Sequence, residues 1–156
     1  MRTRGFTLIE LVITVAILGL LATAAFPLAQ LAAQRAKETE LRVNLRQIRD
    51  AIDAYKQATA TGRVEVKVDA SGYPPSLQAL VDGVVDQRSV NKTVIYFLRR
   101  IPRDPFYPDG SVSAADTWGL RSYASPPDAP EPGDDVYDVY SLAPGKGLNG
   151  VPYHDW

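Results

Sequence analysis

The sequence predicts an α+β protein: one long N-terminal helix, half transmembrane and half amphipathic, packed on a small antiparallel β-sheet head. Three observations lead there. No charged residue occurs in the 24 positions from Leu11 to Gln34, and about 20 apolar residues suffice for a helix to cross a bilayer. The following stretch, RAKETELRVNLRQIRDAIDAYKQAT, is charged, contains neither Gly nor Pro, and carries an apolar stripe at helical spacing. Most of the Pro, Gly and Asp come after residue 68, among short segments that read as turns and strands.

The bulk numbers bound the function. A chain of 156 residues holds one domain with a modest core. Seventeen basic residues against 18 acidic ones argue against a general nucleic-acid binder, which carries a basic excess. The absence of cysteine excludes a disulfide framework and a thiolate metal site.

At the N-terminus, Arg2 and Arg4 precede the apolar run and hold that end in the cytoplasm. Glu10 is the anomaly. A charge within a membrane span costs roughly 2.5–3.5 kcal/mol on insertion scales, so this carboxylate needs a partner or a place at the interface. Three readings compete: a plain signal anchor, a secretory signal peptide cut after the small-x-small triplet Ala22-Thr23-Ala24, and a leader cut before the apolar run, between Gly5 and Phe6.

The stretch RGFTLIELVITVAILGLLATAAFP resembles the N-terminus of type IV pilins and type II secretion pseudopilins. The resemblance rests on Gly5, aromatic Phe6, Thr7-Leu8-Ile9-Glu10 and Pro27. It implies that a prepilin peptidase removes residues 1–5 and methylates the new amine of Phe6. It also gives Glu10 a role. A carboxylate four residues beyond Phe6 lies one helical turn away, and the resemblance implies that Glu10 of one subunit faces the Phe6 amine of another in a filament. The bland alternative is a Glu that stays hydrated at the interface.

Pro27 sits within the run. A proline inside a helix removes one backbone bond and crowds the carbonyl four residues earlier, here that of Thr23, so a kink or melted turn is expected. Gly19 adds freedom there or allows close helix packing.

Beyond Gln34, Leu41, Leu45, Ile48, Ile52 and Tyr55 follow steps of four and three and form one apolar stripe. Arg42, Arg46, Arg49, Asp50 and Asp53 fall mostly off it and read as a solvated or inter-subunit face. The expectation is a single helix from about Phe6 to Ala60, kinked at Pro27 and roughly 80 Å long: a transmembrane part at 6–34 and an amphipathic continuation at 35–60, followed by a head at 61–156.

In the head, Arg63–Val68 alternates like a short strand. PSLQALVDGVV reads as a short helix opened by Pro75 or Ser76 and stopped near Gly83. The apolar run Val94–Leu98 is ambiguous, with a short helix or turn favoured. TWGLRSYASPP and DVYDVYSLA read as two strands of an antiparallel sheet joined by the acidic, Pro-rich loop PPDAPEPGDD.

In this order GYPPSLQALV, LRRIPRDPF, TWGLRSYAS and DVYDVYSLAPG resemble the major pseudopilin of type II secretion. Tyr73, Pro74, Leu77, Pro102, Asp104, Pro105 and Ser141 stand where that family keeps similar residues. The resemblance implies structural roles for them: Leu77 and Leu80 over the sheet, and a bend at Arg103-Asp104-Pro105. It also implies a calcium loop after the last strand. Here the oxygen candidates are Ser141, Asp138, Asn149 and Asp155, but Pro144 and Lys146 stand where acidic oxygens would be needed. The competing reading has Gly145, Gly147 and Gly150 making turns while Tyr153 and Trp156 pack the tail onto the head. No cofactor is required on either reading.

Catalytic constellations are absent from the sequence: His154 is the only histidine, and neither a P-loop nor a nucleophile elbow occurs. The resemblance therefore implies a non-enzymatic subunit of a type II secretion pseudopilus. It would be anchored by a single span in the bacterial inner membrane with its head in the periplasm. Its partners would be further copies of itself, prepilin peptidase, an inner-membrane assembly platform and other pseudopilins. Alternatives are a type IV pilin or minor pilin of a surface fibre, and a membrane-anchored periplasmic binding module that does not polymerise.

Overall fold

The computed structural model describes residues 6–156, the side chains of Ala24 and Ala25 excepted. One helix, α1 (Leu8–Ala60), dominates and is unbroken in its assignment through Pro27. The chain divides into two compact units, the second beginning at Glu38.

In the first unit Thr7 starts the helix. Its carbonyl accepts the N–H groups of Glu10 and Leu11 at 3.1 and 3.2 Å. Every Val, Leu, Ile and Phe from Phe6 to Leu28 is exposed. The helix is long and apolar enough to cross a membrane by length and composition. The two threonines at 14 and 23 fold their hydroxyls back onto the carbonyls of Leu11 and Leu20, at 2.8 and 2.7 Å. That leaves no hydroxyl hydrogen unsatisfied where water is absent.

In the second unit the stripe is buried as its spacing predicts. Leu41, Leu45, Ile48, Ile52 and Tyr55 all lie in the core, joined by Ala51 and Ala58. The helix ends in a Schellman motif: Gly62 takes φ 68°, and the Arg63 N–H reaches back to the Ala58 carbonyl at 2.9 Å. This motif overturns the expected strand at Arg63–Val68. The N–H groups of Arg63 and Val64 both go to Ala58, so they are not free to join a ladder. Val64 is buried while Val66 and Val68 stay exposed.

The short helix α2 spans Ala79–Asp82, one turn before Gly83, and the Ser76 hydroxyl accepts the Ala79 N–H at 3.3 Å. Two antiparallel pairs follow. β1 (Val84–Val85) pairs with β2 (Val94–Ile95), so the run at Val94 opens as strand rather than as helix or turn. Two β-branched residues opposite two others favour that outcome. β3 (Trp118–Arg121) pairs with β4 (Asp138–Ser141), with Trp118 opposite Ser141 and Gly119 opposite Tyr140. A Cβ on Gly119 would lie 2.3 Å from the Tyr140 ring, so only glycine lets that ring lie across the strand. The head thus holds two separate two-stranded sheets. Leu77 and Leu80 are buried in the common core, and Leu80 also accepts the Phe97 and Leu98 N–H groups through its carbonyl.

Asp86 is buried beside Arg63, whose Nη2 lies 2.7 Å from its Oδ2. The Arg63 hydrogen bonds, helped by the N–H groups of Arg88 and Ser89, hold the Asp86 carboxyl below the usual carboxylate range against the opposing effect of burial. A carboxyl lowered in the folded state stabilises the fold above the ordinary carboxylate range. That contribution fades as pH falls through the lowered value.

Two expectations follow for the detergent-solubilised chain, read by fluorescence of buried Trp118 during denaturation. Ile48→Ala removes a fully buried side chain and costs about 2–5 kcal/mol, whereas Val43→Ala, 59% exposed, changes stability by less than about 0.5 kcal/mol. Arg63→Ala destabilises the head at neutral pH, and the gap between variant and wild type narrows on acidification.

Candidate functional site

Two places carry the residues that the sequence singles out. The first is the start of α1. Phe6 is 72% exposed and Glu10 stands in the first helical turn. Among the described residues no ion pair engages the Glu10 carboxylate. A negative group one turn into a helix is favoured by the helix dipole, which adds to its suitability for pairing with an amine at Phe6. Gly5, on the other side of the expected cut, lies outside the described residues. Pro27 lies within α1.

The second place is β4 and the segment after it. The four candidate calcium ligands are turned to other partners. The Ser141 hydroxyl donates to Asp104 Oδ2 and accepts the Ala143 N–H at 3.1 Å. Asp138 Oδ1 accepts from Arg49 Nε at 2.7 Å. Asn149 Oδ1 accepts the Val151 N–H at 3.1 Å, and Asp155 Oδ1 lies 2.9 Å from His154 Nε2. Asn149 and Asp155 face one cleft, but Arg42, Arg46 and Arg49 line it too. Calcium takes six to eight oxygens, several of them carboxylate. Only Asn149 and Asp155 share the cleft with the three guanidinium groups, while Asp138 and Ser141 are engaged elsewhere with Arg49 and Asp104, and a donor set so divided does not fit that ion. Among the described residues no group of three or more His, Cys, Asp or Glu is placed to hold a metal.

The tail is instead tied to α1 by protein groups. Glu38, buried at 4% exposure, accepts the Leu148 N–H at 2.8 Å and the Tyr153 hydroxyl at 3.2 Å through one oxygen. Arg49 Nη2 donates to the Val139 carbonyl at 3.0 Å and to the Trp156 backbone oxygen at 2.9 Å. Arg42 stacks over the Trp156 ring at 4.2 Å, and Tyr153 stacks on Phe106. The packing of Tyr153 and Trp156 follows the second of the two readings made from the sequence.

Asp104, at the bend the sequence marks, is 1% exposed and fully used. Its Oδ1 accepts the Phe106 N–H at 2.8 Å, its Oδ2 takes the Ser141 hydroxyl, and its own N–H donates to Thr117 Oγ1 at 3.2 Å. Arg49 departs from the reading of the arginines as a solvated face, because it reaches across to β4. Sequence reasoning missed Glu38 altogether. Its signal was present but faint: Glu38 lies three residues before Leu41, which places it on the edge of the buried stripe.

Comparison by sequence finds relatives of this chain. The prokaryotic N-terminal methylation motif matches residues 1–26. The chain is 30% identical over 141 residues to the type II secretion system core protein G of Klebsiella pneumoniae, a match covering 86% of this chain and 93% of that protein. No solved structure matches. With a methylation motif at its start, a long apolar helix behind it and similarity to core protein G along most of its length, the chain belongs to the pseudopilin family of type II secretion.

Proposed function

We propose that this chain is a structural subunit of a type II secretion pseudopilus and not an enzyme. Its leader is cut between Gly5 and Phe6 by prepilin peptidase, the Phe6 amine is methylated, and the mature chain polymerises through α1. The span remains in the bacterial inner membrane and the head lies in the periplasm, where an assembly platform and other pseudopilins act on it. The observation that supports this reading best is the methylation motif over residues 1–26 joined to an exposed apolar helix with Glu10 in its first turn. An ammonium and a carboxylate held apart in lipid are costly, while a pair across two subunits offsets much of that cost. Removing one member of such a buried pair costs about 3–5 kcal/mol, enough to set subunit register.

The fit of the C-terminal segment supports a second part of this proposal: the head closes without calcium. The clamp of Glu38 on Leu148 and Tyr153, with Arg49 on β4 and Trp156, ties this segment down through protein groups alone.

Mass spectrometry of the membrane-purified chain checks the first part, with a methylated Phe6 terminus expected and an intact Met1 or a start near Ala25 overturning it. Glu10→Ala is expected to be cleaved normally yet to yield no filaments by electron microscopy. For the second part, the melting temperature is expected to be the same with excess calcium and with chelator. Glu38→Ala leaves the buried Tyr153 hydroxyl without its acceptor, at about 1–3 kcal/mol, and frees the half-buried Leu148 N–H, whereas Glu38→Gln keeps an oxygen there and retains most of the stability.

A further inference from the structure

Two surfaces of the head are opposite in charge and lie at different levels along α1. On one, Arg46 stands between Arg42 and Arg49 on the helix and lines the cleft of about 490 Å³ at the tail. Arg42 is stacked on Trp156 and Arg49 is spent on Asp138, Val139 and Trp156. Arg46 is exposed and makes no ion pair or hydrogen bond among the described residues. Like charges four residues apart on a helix repel, so the Arg42–Arg46 pair favours an incoming anion. Asp50 and Asp155 also border the cleft, two carboxylates against three guanidinium groups, and among the described residues no ion pair joins either to Arg46.

On the other surface, a groove of about 930 Å³ runs between the loop after α1 and the connection from β3 to β4. Its charged lining is Glu65, Asp69, Asp134 and Asp135 against Lys67, with the Lys56 ammonium beside it on the Ser71 carbonyl and over the Tyr73 ring at 4.9 Å. Tyr123 stands at its wall, 61% exposed, in a three-ring cluster with Tyr73 and Tyr137. Carboxylates beside an open aromatic face suit a guanidinium, which takes bidentate hydrogen bonds and stacks on rings. The cluster already does this with its own chain: Arg121 lies over Tyr137 at 5.1 Å.

We infer that the Tyr123–Asp134 groove of one copy receives the Arg46 face of a second copy of this chain. Two different patches on one molecule make a heterologous contact, which gives a ring where the rotation closes and an open helical filament where it does not. Thr59, which lines the groove, lies thirteen positions beyond Arg46 on the same helix, about 20 Å at 1.5 Å per residue. Copies pointing the same way therefore bring the two patches together only when staggered along the helix direction, as in a helical polymer. The inference deepens the proposed polymerisation and rests on it.

The native chain has no cysteine, which makes a thiol test clean. Full-length Arg46→Cys and Asp134→Cys chains are co-expressed in cells that assemble the filament and treated with a bismaleimide. A dimer is expected from the mixture and not from either variant alone. Arg46→Glu and Asp134→Arg, both at exposed sites, are each expected to lower filament yield at least tenfold with unchanged melting of the head, and the double variant is expected to recover it. Wild-type filaments that remain sensitive to Glu10→Ala but indifferent to both charge reversals overturn this contact and leave polymerisation standing. Cross-linking of Arg46→Cys to a different pseudopilin instead also overturns it. Failure of the wild type to form filaments at all overturns both.

Discussion

A helix satisfies its backbone hydrogen bonds internally, and that constraint governs the rest of this molecule. One helix, α1, carries both an apolar segment long enough to cross a membrane and an amphipathic one, and its internal hydrogen bonding suits either solvent. What differs along it is only the side chains: apolar on every side before Gln34, striped after it. Thr14 and Thr23 obey the same rule by returning their hydroxyls to the helix. Glu10 breaks it, and the exception falls next to the terminus that processing would create.

The head depends on α1 for a simple reason of size. Two-stranded sheets are marginal alone in water, and both sheets here have only two strands. The stripe from Leu41 to Ala58 supplies the surface on which Leu77, Leu80, Trp118 and Val139 are buried. Polar groups that enter this core come with partners. Asp104, Ser141 and Thr117 satisfy one another and nearby backbone groups, and no buried side-chain nitrogen or oxygen among the described residues lacks a hydrogen bond. Such a network fixes the bend at residues 103–105 against the end of β4 more specifically than apolar packing would.

Much of this was legible in the sequence because it follows from periodicity. The apolar run, the stripe and the strand pair around Trp118 and Val139 are each several residues long and repeat their signal. What sequence reading got wrong was short or non-local. Val64, Val66 and Val68 alternate, but the Schellman motif at Gly62 consumes the amides a strand would need. Val94 and Ile95 form a strand only because Val84 and Val85 lie opposite, and two residues give no period to detect. Arg49 and Glu38 look like surface charges until residues about 90 to 115 positions away fold onto them. The partners of Asp138, Ser141, Asn149 and Asp155 could not be read from spacing, because they come from distant segments or from backbone amides brought close by turns.

The long reach of those clamps bears on how the molecule is made. The bonds from Glu38 and Arg49 to the tail join residues 107 to 115 positions apart, among the most distant in the chain. Contacts of such high order form late and slow the search for the native state. Until they form, Tyr153 is not yet fixed in the cluster it shares with Leu41 and Leu45. A head of this design therefore keeps part of the apolar stripe of α1 open until its last residues arrive.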